Sequence, residues 1–83
     1  MNTPIESFRL AVFRVVAERL NFTQAADVLH LTQPAVTSQV KALEQELGLR
    51  LFERIGGGVR LTPAGERLYA FAVDTNTRAE QAL

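Results

Sequence analysis

The sequence predicts a mainly α-helical domain that carries one short β-hairpin. Three observations support this. Apolar residues recur at three- and four-residue steps through most of the chain. Thr32-Gln33-Pro34 and Thr62-Pro63 have the form of helix starts. Gly56, Gly57 and Gly58 stand together between two short β-prone runs.

Pro4 to Leu20 has the spacing of a first helix, with Leu10, Phe13, Val16, Ala17 and Leu20 on one face. Asn21 and Phe22 interrupt that pattern. Thr23 is the expected N-cap of a short helix from Gln24 to Leu29, whose apolar side is Ala25, Ala26 and Leu29. Two adjacent alanines allow a neighbouring helix to cross closely. His30 and Leu31 make a tight connection. Thr32 then caps a third helix, with Gln33 and Pro34 as its first two residues. Proline costs nothing there, because the first turn has no intrahelical N–H bond to lose. Leu31 and Val36 are spaced as a hydrophobic staple. Val36, Val40, Leu43 and Leu47 form the expected buried stripe, and Gly48 the stop.

Leu51 to Arg54 and Val59 to Leu61 are the expected strands, with Ile55 opening the turn and Gly56-Gly57-Gly58 at its tip. Thr62 caps a last helix from Pro63 towards Leu83, and Glu66 complements its dipole. Leu68, Phe71, Ala72, Thr75, Ala79 and Ala82 form its apolar face, which weakens along the chain and suggests a partner helix.

Composition narrows the function classes. Eighty-three residues suit one small domain, and 47% apolar with 22% charged residues is ordinary for a globular one. No window has the roughly 18 apolar residues of a membrane span, and the start lacks a secretion-signal pattern. There is no cysteine, so the cytoplasm is the expected compartment. The single histidine, His30, has no companion ligands for a metal, and no paired carboxylates or Ser/His/Asp set converge. No enzymatic activity and no cofactor are expected.

Net charge is zero, with nine Lys+Arg and nine Asp+Glu, which by itself speaks mildly against a nucleic-acid partner. The distribution speaks for one. No acid occurs from Val28 to Leu43, nor from Arg54 to Gly65. Two acid-free windows can form one electropositive surface on a neutral molecule.

Two helices joined by a tight turn, the second polar at its start, describe a helix-turn-helix. The hairpin makes it a winged helix-turn-helix: a three-helix core, a two-stranded β wing and a long C-terminal linker helix. In such a motif the second helix enters the DNA major groove with its first residues at base edges. Gln33, Pro34, Ala35, Thr37 and Ser38 are the expected base-edge residues. Gln pairs bidentately with adenine, and Thr sets its methyl against that of thymine. Lys41, two turns deeper, is expected at a phosphate. Thr23 and Gln24, at the start of the preceding helix, are expected at another.

The run NFTQAADVLHLTQPAVTSQVKALEQELGLRLFER, with the later VRLTPAG, resembles the N-terminal DNA-binding domain of LysR-type transcriptional regulators. The likeness covers about Phe8 to Gly65. It implies a bacterial regulator and a pseudo-palindromic double-stranded DNA operator. It also implies a homodimer formed through the last helix, with Leu68, Phe71, Ala72, Thr75 and Ala79 at the contact. Residues 1–62 would be the DNA-binding domain and residues 63–83 the linker. Higher oligomers and a small-molecule inducer would belong to a longer protein whose effector domain lies beyond Leu83. Arg54 matches the wing arginine, which the resemblance places near the minor groove; a narrow A·T-rich groove attracts arginine. The glycine wing tip departs from the basic tip common in the family. Together with the neutral charge, it supports one alternative, a winged-helix protein-interaction module that does not bind DNA.

Overall fold

The computed structural model describes the backbone of residues 4–82 and the side chains of residues 8–73. Helix α1 spans Pro4–Arg19, α2 Phe22–Leu29 and α3 Gln33–Leu47. Strands β1 (Phe52–Ile55) and β2 (Gly58–Leu61) follow, and α4 spans Pro63–Ala82. The expected winged architecture is present, and α1 is its centre, in contact with α2, α3 and α4. That explains why Val12 and Val15 are buried alongside Phe13, Val16 and Ala17: a helix covered on several sides buries more than one stripe.

Several local expectations are corrected. Leu20 is not part of the α1 core face. Its backbone is left-handed (φ 50) and its side chain is 43% exposed, so the helix ends at Arg19. The cap of α2 is Asn21, not Thr23. The Asn21 side chain accepts from the Gln24 N–H at 2.9 Å. Asparagine is as good a cap as threonine, and the shift brings Phe22 into the helix. Phe22 then meets Phe52 edge-on with ring centroids 5.7 Å apart, and Phe13 lies tilted against Phe52 at 5.4 Å. Three rings thus tie α1, α2 and the wing together.

The turn between α2 and α3 closes by backbone alone. Leu31 N–H donates to the Ala26 carbonyl and His30 N–H to that of Asp27, a Schellman arrangement. It needs a left-handed residue, and His30 supplies it at φ 58. The His30 side chain is exposed rather than packed. Thr32 caps α3 as expected, accepting from Ala35 N–H at 3.2 Å. Val36, Val40 and Leu43 are buried, but Leu47 is 45% exposed and does not continue the stripe. Gly48 ends the helix at φ 68.

The hairpin gains one rung at its tip, and β1 begins one residue later than expected. Ile55 pairs with Gly58, so the tip is the two-residue Gly56-Gly57 turn. Both have positive φ, 26 and 86, which an L-residue resists. Leu51 lies outside β1 as a fully buried plug. Its carbonyl accepts from Thr62 N–H at 3.0 Å, which closes the base of the hairpin. Thr62 caps α4 by accepting from Gly65 N–H at 3.0 Å, and its hydroxyl donates to the Arg50 carbonyl.

Gly65 faces the Leu51 carbonyl so closely that a Cβ there would overlap its oxygen. The start of α4 therefore rests on the backbone before the wing. Gly65→Ala is expected to lower unfolding free energy by about 1–3 kcal/mol in urea titration. An unchanged midpoint would show that the contact tolerates a methyl group.

Candidate nucleic-acid interface

The buried stripe of α3 determines which way the rest of the helix faces. With Val36, Val40 and Leu43 inward, the exposed side carries Gln33, Pro34, Ser38 and Lys41, with Thr37 and Ala35 half-buried. Gln33, Thr37, Lys41 and Gln45 repeat at four-residue steps along this side. Gln33 Nε2 donates to Thr37 Oγ1 at 3.1 Å. This bond orients the amide and leaves its second N–H and its carbonyl oxygen free for a bidentate partner.

An open groove runs along this face. Gln33, Pro34, Thr37, Ser38 and Lys41 line it, joined by Ala42, Gln45 and, from β1, Arg54. The structure thus brings four of the five expected base-edge residues together with Lys41 and Arg54; Ala35 lies off the groove. Thr23 and Gln24 are exposed at the start of α2, outside the groove lining. Because Asn21 engages only the Gln24 N–H by its side chain, the N–H groups of Phe22 and Thr23 stand in the first turn, where no intrahelical carbonyl serves them.

The neighbouring acids are all partnered, and Glu44 and Glu53 border an adjoining hollow shared with Thr37, Lys41 and Arg54. Glu44 Oε2 accepts from Leu51 N–H at 2.8 Å and from Phe52 N–H at 3.5 Å. Glu46 pairs with Arg9 at 2.9 Å, which ties α3 to α1. Glu53 pairs across the wing with Arg60, its register partner. Among the described residues neither Lys41 nor Arg54 has an acid within salt-bridge distance. The groove is therefore cationic on a molecule of zero net charge.

Sequence reasoning stopped the α3 face at Lys41. Continuing the same four-residue step reaches Gln45. The role of Glu44 could not be found that way, because its partners are backbone N–H groups beyond the helix.

On α4, Phe71 is 60% exposed and Leu68 half-buried, whereas Ala72 is 6% exposed and covered within its own chain. Thr75, Ala79 and Ala82 lie outside the residues whose side chains are described. Phe71 and Leu68 border a mainly apolar hollow shared with Leu47, Leu49, Leu51, Ala64 and Arg67. Tyr69 donates to Glu18 at 3.4 Å, fixing the start of α4 on α1. No helix among the described residues is long and apolar enough to cross a membrane.

Comparison with known proteins gives a consistent result. Residues 8–66 match the family model described as bacterial regulatory helix-turn-helix protein, lysR family. The chain is 50% identical over 64 residues to a RuBisCO operon transcriptional regulator of Allochromatium vinosum, covering 77% of this chain and 21% of that protein. It is 52% identical over 60 residues to the HTH-type transcriptional regulator CfxR of Cupriavidus necator, covering 72% and 19%. The chain thus spans about a fifth of the length of these relatives. Among solved structures, the BenM DBD in complex with catB site 1 DNA superposes with a TM-score of 0.83 at 35% identity, over 96% of this chain and 84% of that one. Full-length CbnR complexed with its target DNA gives 0.79 at 36% identity, over 96% and 27%. On sequence and fold together, this chain belongs to the lysR family of bacterial regulatory helix-turn-helix proteins.

Proposed function

We propose that this chain is the DNA-binding module of a transcriptional regulator, without enzymatic activity, that reads a pseudo-palindromic double-stranded operator as a symmetric dimer. One observation carries the reading. The acid-free face of α3 and Arg54 of the wing line the same open groove, and the acids beside it are held by other partners. Carboxylates are repelled from a groove walled by phosphates, whereas amides and hydroxyls suit base edges. The similarity to chains solved with DNA supports the same reading.

Residues divide by role. Gln33, Thr37 and Ser38 hydrogen-bond to base edges, and Pro34 and Ala35 offer apolar surface to thymine methyls. Lys41 binds phosphate. Thr23 and Gln24, with the first N–H groups of α2, receive another phosphate. Arg54 approaches the minor groove. The glycine tip lets the wing backbone come close but adds no charge.

Residues 1–62 bind DNA, and residues 63–83 join two copies. Exposed Phe71, with Leu68 and the hollow beside them, supports that contact, to which the sequence pattern adds Thr75 and Ala79. One recognition helix reads few base pairs; two copies about 34 Å apart read two half-sites one turn apart. A longer protein of this kind would form higher oligomers, sense a small molecule through a further domain and act in the cytoplasm.

Titration of labelled duplex at several salt concentrations tests the central reading. Gln33→Ala should cost about 1–3 kcal/mol on a duplex selected for tight binding and relax preference at one base. Lys41→Ala should weaken selected and random duplexes alike and lower the salt slope by about 1. Salt-independent binding, or none, would favour a protein-interaction module instead. Phe71→Glu should weaken self-association at least about tenfold in sedimentation equilibrium, the effect of roughly 1.4 kcal/mol. An unchanged dimer constant would place the interface off α4.

A further inference from the structure

Helix α3 has 15 residues and is therefore about 22 Å long, whereas the major groove is about 12 Å wide. With its first turns at base edges, its last turn and the segment after it overlie a phosphate strand. That end is a poor place for phosphate unless cations are supplied, because the helix dipole there is negative and the local sequence is Glu44-Gln45-Glu46.

The structure gives both acids partners, while Glu44 still borders the site beside Arg50. Glu46 is paired with Arg9, and Glu44 accepts the two backbone N–H groups that lead into the wing. A second open hollow lies at this end, lined by Lys41, Glu44, Gln45, Gly48, Leu49 and Arg50. Lys41 is common to both hollows. The Arg50 side chain is 78% exposed, and its contact with Glu44 is long, 3.9 Å, and screened by solvent. One N–H of Arg50 donates to the Phe52 carbonyl at 3.4 Å; a guanidinium carries five donors in all, so others remain for a ligand.

We infer that Arg50 is a further phosphate-contacting residue, which with Lys41 takes the DNA strand over the C-terminal end of α3. The inference rests on the DNA-binding reading above. It also locates the charge that the glycine tip lacks: the cation stands at the base of the wing rather than at its end.

The test uses the 83-residue chain and a labelled random-sequence duplex, titrated by fluorescence anisotropy between about 0.05 and 0.2 M salt. Arg50→Gln should lower the slope of log K against log salt by about 0.9, the loss of one phosphate contact. Arg50→Lys keeps the charge but not the guanidinium fork, and should restore the slope. An unchanged slope in Arg50→Gln, while Lys41→Ala loses its own unit, overturns the inference and leaves the DNA-binding reading intact. Equal loss of slope in both Arg50 variants also overturns it, because Arg50 would then act by holding the wing through Phe52. A flat slope in the parent chain sinks the DNA-binding reading and this inference together.

Discussion

Everything at the interface depends on how α3 is seated. Val36, Val40 and Leu43 are buried against a core that includes Phe13, Val16, Ala25 and Ala26. Each such side chain contributes about 1.5–3 kcal/mol on burial, and together they fix the rotation of the helix about its own axis. A turn of that axis by one residue would bring a core position into the groove and bury a polar one. The stripe and the face are therefore a single constraint seen from two sides. The capped start at Thr32 and the closed turn before it set where the helix begins, and the stripe sets which way it looks.

A second constraint joins the wing to that helix. Glu44 holds the backbone of Leu51 and Phe52, Leu51 plugs the core, and Gly65 lets the start of α4 rest on Leu51. Phe52 meets Phe13 at a tilt and Phe22 edge-on. The position of Arg54 relative to Lys41 follows from this chain of contacts rather than from the hairpin alone. The acids that build the frame are the ones nearest the groove. This is how a molecule with equal numbers of acids and bases presents a cationic surface: the carboxylates near the groove are held by backbone N–H groups and by arginines.

The parts legible in the sequence are those set by local chemistry. Thr32 with Pro34, and Thr62 with Pro63, announce helix starts because a cap and a proline act within one turn. The α3 face was legible because four-residue spacing and the absence of acids are visible without coordinates. Errors arose where neighbouring residues offered equivalent local solutions. Asn21 and Thr23 are both good caps, and the choice fell to Asn21 because Phe22 gains the aromatic contact with Phe52. Leu20 and Leu47 continue their helical patterns on paper, but Leu47 is the last residue of α3 and Leu20 lies just past α1, where the core no longer covers them. The partners of Glu44 and the close approach at Gly65 are long-range and backbone-mediated, so no spacing rule reports them.

Amide chemical-shift mapping of the isotope-labelled chain, titrated with a random-sequence duplex, tests the seating of α3 most directly. The account predicts that the largest changes fall on residues 33–41 and on Arg54, while the buried side of α3 and the exposed Leu20 and Val28 surfaces change little. Largest changes centred on α1 or on the outer face of α2, with residues 33–41 undisturbed, would contradict it.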